Sequence, residues 1–292
     1  MQFPTSSTTT IRNAFTVDVE EYFQVEAFSD FIKKEDWDKY PSRVEQQTGR
    51  LLDILASFQV RGTFFILGWL AERNPGLVTA IHQRGHEIAS HGYDHTMITK
   101  MNKEEFRKDI RKTKEILERI TNEEVRGYRA PTFSIVEKTS WAYEILLEEG
   151  YRYSSSVFPI YHDRYGWPGF GSEPRVMAKD GDSEICEVPM TTRSFGPLII
   201  PFAGGGYLRA YPWFLTKVLF KYSNNGGNPV IVYIHPWELD LHHPEIEAPF
   251  FKKIRHYHRL SSTGKKLECL LKAWKFDTVA NSVRICKLKR DE

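Results

Sequence analysis

The chain has 292 residues, of which 41% are apolar, 14% aromatic and 27% charged. That balance excludes a disordered chain and is enough for one large domain or two small ones. Lys plus Arg number 40 and Asp plus Glu 38, so a formal charge of +2 is spread along the sequence, and no concentrated basic face argues for nucleic acid as a partner.

In chain order, Met1 to Asn13 is rich in Ser and Thr and lacks the apolar core of a signal peptide. The first strand candidate is Ala14–Val19. A helical face of Val44, Thr48, Leu51, Leu52, Leu55 and Phe58 follows, then strand candidates at Arg61–Leu67 and His86–Ser90. Asn102 and Glu105 form a capping-box pattern ahead of a second helix, whose apolar face is Phe106, Ile110, Thr113, Ile116, Leu117 and Ile120. Further strand candidates are Val125–Arg129, Tyr151–Val157, Glu184–Pro189, Leu198–Phe202 and Val230–His235. Each is short, rich in β-branched or aromatic residues, and bounded by Gly, Pro or polar residues.

This alternation predicts an α/β fold with a mainly parallel sheet covered by helices, either a barrel or a doubly wound sheet. Past residue 240 the strands nearly stop. Helices are expected at about 246–259 and 263–275, with a last apolar run at Ser282–Leu288. The expected organisation is a flexible lead over 1–13, one domain over 14–240, and a helical C-terminal extension over 241–292 packed on that domain. No apolar run approaches the roughly 18 residues of a membrane span, so the expected location is the cytoplasm, with export of substrate or enzyme left open. Cys186, Cys269 and Cys286 lie far apart with no CxxC pair and read as reduced thiols.

Two stretches break the alternation. Residues 158–183 carry Pro159, Pro168, Gly169, Gly171, Pro174 and Gly181 among Tyr161, Tyr165, Trp167 and Phe170, which reads as a long functional loop. Gly204-Gly205-Gly206-Tyr207 follows a strand but lacks the Lys-Ser/Thr of a phosphate-binding loop.

The polar residues that matter fall at the ends of strands. Asp18 and Glu20 stand two apart at the end of the first, which puts both carboxylates on one side of an extended chain. His91 and His95 follow the third, Arg129 closes the next, and His235 closes the last clear strand. In parallel β/α folds these ends meet on the face that carries the active site. Two histidines four apart plus a carboxylate suit zinc, nickel, cobalt or iron, with positions left open for water and substrate. The remaining histidines read as surface or capping residues.

At these residues the chain resembles the polysaccharide deacetylases of carbohydrate esterase family 4, whose NodB-homology domain is a distorted (β/α) barrel. The segments Val17-Asp-Val-Glu20, Ser90-His-Gly-Tyr-Asp-His95, Arg129-Ala-Pro131, Tyr153-Ser-Ser-Ser-Val-Phe-Pro159, Gly204-Gly-Gly-Tyr207 and His235-Pro-Trp-Glu238 recur in order. They are similar to the bacterial exopolysaccharide-locus branch, which carries a helical C-terminal extension. The resemblance implies Asp18 as general base, Arg129 as the arginine that orients it, and His235 as general acid. It implies a divalent metal, zinc foremost, on Glu20, His91 and His95, with Glu21 as the alternative to Glu20 because Val19 stands where the family usually has a second aspartate. Pro131 and a backbone N–H near Thr132 would shape the groove. Tyr161, Trp167, Tyr207 and Trp237 could offer flat faces to sugar rings.

One departure concerns the acid. Where the family usually has an aspartate that tunes the histidine, this sequence has Ser154, so either another acid substitutes, Asp163 or Glu238, or this step is weakened. The implied reaction is hydrolysis of an N-acetyl group on a hexosamine unit of an acetylated polysaccharide or oligosaccharide, releasing acetate. The rival readings are a small-molecule amidohydrolase acting on an allantoin- or purine-like ring, and a carbohydrate-binding protein with weakened catalysis.

Overall fold

The computed structural model describes residues 11–162, 164–196 and 198–283, without the side chain of residue 255. Its strands are β1 (Asn13–Val19), β2 (Thr63–Ile66), β3 (Glu87–Ser90), β4 (Gly127–Tyr128), β5 (Tyr153–Ser154), β6 (Arg175–Asp180), β7 (Ser183–Glu187), β8 (Thr192–Phe195), β9 (Leu198–Pro201), β10 (Ile231–Ile234) and β11 (Phe276–Asp277). The main sheet runs β10-β1-β2-β3-β4-β5-β7-β6. Its pairs are parallel from β10 through β7, and β6 adds antiparallel to β7. No strand ladder among the described residues closes the sheet into a complete barrel. On its other edge β10 is met by irregular chain: the Ile231 N–H donates to Thr191 Oγ1 at 2.8 Å and the Tyr233 N–H to the Ala203 carbonyl at 3.2 Å.

Period-two alternation divides β1 between two cores. Phe15, Val17 and Val19 face outward and pack with Phe64, Ile66, Val232 and Ile234 under the helices. Ala14 faces inward with Phe65, Ala89, Ile231 and Tyr233, and Thr16 bonds there to the Val232 carbonyl. Asp18 continues this inward series, so the same alternation that buries β1 delivers its carboxylate to the interior. Each large apolar side chain buried this way is worth roughly 1.5–3 kcal/mol.

The helix Val44–Ser57 buries Val44, Thr48, Leu51, Leu52 and Leu55, the expected face, while Phe58 lies just past its end. The helix Lys103–Thr121 has the expected capping box, with Asn102 Oδ1 accepting from the Glu104 and Glu105 N–H groups and Glu105 reaching back to the Asn102 N–H. It closes on Asn122 in the left-handed region, φ +55°.

Several expectations need correction. The long loop over 158–183 is shorter than its Gly and Pro content suggests, because 175–180 forms β6. The Asp180-Gly181-Asp182 turn makes β6 and β7 a hairpin, with Gly181 at φ +56°. After residue 240 the helices are Phe250–Tyr257 and Thr263–Ala273, followed by β11, which pairs parallel with β1, and a last short helix Val279–Ser282. The apolar run Ser282–Leu288 lies mostly outside the described residues, as does the lead over residues 1–10. Cys269 is a free thiol, Cys186 is buried, and Cys286 lies outside the described residues. Among the described residues no helix is long and apolar enough to cross a membrane.

Candidate active site

The carboxyl ends of β1, β3, β4 and β10 open into one groove of about 400 Å³, lined among others by Asp18, Glu20, His91, His95, Thr132, Tyr207, His235 and Trp237. Arg129 lies beneath it, fully buried. Its Nη1 donates to Asp18 Oδ1 at 2.6 Å and to Thr16 Oγ1 at 2.8 Å, while Nε and Nη2 donate to the carbonyl and hydroxyl of Ser155 at 3.0 Å each. The guanidinium is thus satisfied on every side that matters, and its charge offsets that of the buried Asp18.

Glu20, His91 and His95 are all buried, and one ligand atom from each lies within 4.8 Å of the others. Their chemistry fits a divalent metal. His91 Nδ1–H donates to the Arg129 carbonyl at 2.8 Å, which leaves Nε2 as the free lone pair. Burial holds the His91 imidazole down at about 4, hence neutral as a ligand must be. Burial also raises Glu20, but His95, His235 and His91 outweigh it and hold the carboxyl at about 2. Glu20 Oε2 stands 2.9 Å from His95 Nε2 yet is left without a hydrogen bond in a buried position, as an atom awaiting a cation would be.

Glu21, the alternative ligand, turns away. Its carboxylate accepts from Ser42 Oγ and from the Arg43 and Val44 N–H groups, capping the helix Val44–Ser57. One step along an extended strand reverses the side chain, which separates a groove residue from a helix cap.

His235 projects Nε2 toward both acids, 3.5 Å from Glu20 Oε1 and 3.9 Å from Asp18 Oδ2. Its Nδ1–H donates to Glu238 Oε1 at 2.8 Å. Burial disfavours the imidazolium, but Glu20, Glu238 and Asp18 together hold the ring up at about 9. Trp237 stacks on His235 with ring centroids 5.0 Å apart, and its Nε1–H donates to Glu20 Oε1 at 3.3 Å. Ser154 is occupied elsewhere: its hydroxyl donates to Ser156 Oγ at 2.7 Å. Asp163, the other substitute considered, lies outside the described residues.

Thr132 and Phe133 line the groove in left-handed backbone, φ +55° and +51°, and His95 is at +59°. Such strain in non-glycine residues is held only where the surroundings dictate it. Pro131 is buried behind them. The glycine run over 204–206 serves packing rather than phosphate. A Cβ at Gly204 would stand 2.1 Å from the Tyr233 ring, and Gly205 takes φ +50° above the same ring. This contact seats the helix Gly205–Ala210, which carries Tyr207 and Arg209 into the groove wall.

Of the expected aromatic residues, Tyr207 and Trp237 line the groove. Tyr161 is 87% exposed and not part of its lining, and Trp167 packs on Phe170 and the outer core instead. The sequence reading missed His162, Tyr165, Tyr233, Arg209 and His256 as groove residues. His256 was read as a surface or capping residue, yet it is buried and stacks on Trp237 at 4.1 Å.

Comparison with known proteins agrees with this geometry. Residues 36–153 match the family model described as polysaccharide deacetylase, and residues 155–284 match one described as a domain of unknown function, DUF3473. The first match holds His91, His95 and Arg129, and the second holds His235, while Asp18 and Glu20 precede both. A Bacillus cereus peptidoglycan-N-acetylglucosamine deacetylase is 40% identical over 98 residues, covering 33% of this chain and 36% of that protein. The chain thus matches about a third of that relative's length. A solved Mycobacterium smegmatis structure assigned to the polysaccharide deacetylases superposes with a TM-score of 0.59 at 23% identity, covering 95% of this chain and 90% of the other. An allantoinase structure superposes equally well, TM-score 0.59 at 15% identity over 96% and 91% of the two chains, so the fold is shared by more than one chemistry. Residues 36–153 are thus similar in sequence to polysaccharide deacetylases, and residues 155–284 to a domain of unassigned function.

Proposed function

We propose that the protein is a metal-dependent polysaccharide deacetylase that hydrolyses N-acetyl groups on hexosamine units of an exopolysaccharide or related glycan. The observation that carries this reading is the convergence of Glu20, His91 and His95 beside an Asp18 held by Arg129. Those three residues would hold one divalent ion, zinc before nickel, cobalt or iron. When bound, the ion supplies a Lewis acid for the acetyl carbonyl oxygen and lowers the pKa of water toward neutrality.

The chain's own residues do the rest. Asp18, oriented through Oδ1 by Arg129, takes the proton of the attacking water as general base. Oxygen adds to the acetyl carbon, and the backbone N–H near Thr132 stabilises the oxyanion. His235 gives its proton to the amine nitrogen as the C–N bond breaks, leaving acetate and a free amine. Pro131 shapes the groove wall, Tyr207 and Trp237 offer apolar faces to the sugar, and Tyr161 stands outside it as a flat exposed surface. In this reading residues 14–240 form the deacetylase domain and 241–292 an extension packed on it.

The test is acetate release from N-acetylglucosamine oligosaccharides and N-acetylated exopolysaccharides, before and after chelation. Release that is lost on chelation and restored by zinc is the expected result. Hydrolysis of allantoin with no acetate from any glycan would overturn the reading in favour of a small-molecule amidohydrolase.

A further inference from the structure

The second family match, a domain without an assigned function, supplies the partners of His235 on its Nδ1 side and across its face. Glu238 is fully buried; one oxygen accepts from His235 Nδ1 at 2.8 Å, and the other stands 3.1 Å from Nε of Arg209. Arg209 is itself buried, and its Nη1 donates to the backbone carbonyl of His256 at 2.7 Å. The ring of His256 stacks on Trp237, which stacks in turn on His235. The acid arm is therefore gripped twice, along the edge of the imidazole through Glu238 and across its face through Trp237.

The short helix that carries Arg209 is tied down by the same C-terminal region. Lys266 Nζ donates to the carbonyls of Leu208, Arg209 and Tyr211, at 3.0, 2.6 and 2.5 Å, and Arg259 Nη1 donates to that of Ala210 at 3.0 Å. Cations on the last carbonyls of a helix satisfy groups the helix cannot pair itself. A helix as short as Gly205–Ala210 has little stability of its own, so these contacts fix where its arginine points.

We propose that Glu238 and Arg209 are positioning residues for the catalytic histidine His235, and that the C-terminal segment from His256 to Lys266 exists in part to hold them. This rests on the deacetylase reading for its catalytic consequence. Glu238 takes the place of the aspartate whose usual position is occupied by Ser154. It fixes the ring tautomer with Nε2 toward the groove, as an oriented second partner does for histidine generally. Arg209 keeps the buried carboxylate from standing with His235 as its sole charged partner, which would be costly.

The consequence is a dependence on the leaving group. An amine must be protonated to leave, whereas the phenolate of an activated aryl acetate leaves without help. Glu238→Gln is expected to lower kcat on an N-acetylglucosamine oligosaccharide about 100-fold with KM within about twofold, while p-nitrophenyl acetate hydrolysis falls less than about fivefold. His235→Asn should show the same selectivity. Lys266→Met, outside the groove and the milder change, should lower amide hydrolysis by roughly three- to tenfold and leave ester hydrolysis unchanged. An equal loss on both substrates, or amide turnover within about threefold of wild type in Glu238→Gln, would overturn the proposal. A second readout separates it from the wider reading. In proton and nitrogen NMR of the full chain, the Nδ1-bound proton of His235, assigned by its loss in His235→Asn, should be present in wild type, strongly shifted in Glu238→Gln, whose amide oxygen is the weaker acceptor, and less shifted in Lys266→Met. If wild type cleaves neither substrate, the deacetylase reading fails, and this signal alone decides the positioning: unchanged in both variants, it contradicts it.

Discussion

Arg129 Nη1 meets Asp18 Oδ1 at 2.6 Å across 111 residues of sequence, with both groups withdrawn from solvent. The contact joins the ends of β1 and β4 and fixes the carboxylate from beneath. Removing one member of a buried pair leaves the other uncompensated, at a cost of about 3–5 kcal/mol. Arg129→Met should therefore lose stability of that order in urea unfolding, and Asp18→Asn in the same chain should recover part of it. Asp18→Asn alone should keep its metal while turnover falls by a factor on the order of 100 or more. Full stability in Arg129→Met would contradict this account of the pair.

Restoring the family's usual acid should not help. Ser154 is buried and bonded to Ser156, beside the buried carboxylate of Glu187, which accepts from the Ser156 and Val157 N–H groups and from Tyr143. Ser154→Asp would set a second carboxylate against Glu187. The expected result is no gain in turnover and a loss of stability on the order of 3 kcal/mol. A rise in kcat would mean that Glu238 does not serve His235.

Gly204 is a position where a single methyl group should reach the active site. Its Cβ would fall 2.1 Å from Tyr233 Cδ1, close to the strand backbone, where little can yield. Gly204→Ala should destabilise by on the order of 2 kcal/mol and displace the helix bearing Tyr207 and Arg209. Thermal unfolding read with kcat checks this: both should fall, and unchanged kcat would separate the glycine run from the groove.

One acid-sensitive contact lies away from the groove. The Gly62 N–H donates to His86 Nδ1 at 3.1 Å, so the imidazole must be neutral there. Burial first, then Arg84 and Arg61, hold it down at about 4. Because its folded pKa lies below the unfolded value near 6.5, its contribution is complete above about 6.5 and is lost as pH falls toward 4. Between pH 7 and 5 the wild type should lose up to about 2 kcal/mol more than His86→Gln in urea unfolding. Equal losses would remove His86 from the acid response.

What the sequence made legible was whatever a local period encodes. The i, i+2 spacing at the end of β1 placed Asp18 and Glu20 on one side but left Glu21 open as the alternative ligand, and the 3.6-residue spacing marked the buried faces of the two long helices. The strand ends named the groove residues because parallel strands must end on a common face. Arg209 was hidden because its helix has six residues, too few for a period, and its partners are a side chain in another segment and a backbone carbonyl 47 residues on. His256 was hidden because a helix with Phe250 and Phe251 exposed and a histidine buried inverts the usual pattern. The hairpin of β6 and β7 was masked by the Gly and Pro residues before it, although Asp180-Gly181-Asp182 is a turn signal. Trp167 illustrates the limit of composition, since an aromatic side chain in a polar loop packs on the core as readily as on a ligand.

The central claim, a metal centre on Glu20, His91 and His95, is tested most directly by metal content per chain in wild type and His91→Ala purified side by side. The account predicts about one divalent ion per wild-type chain and none in His91→Ala. Wild type that holds no metal even after incubation with zinc, or a variant that holds as much as wild type, would contradict it.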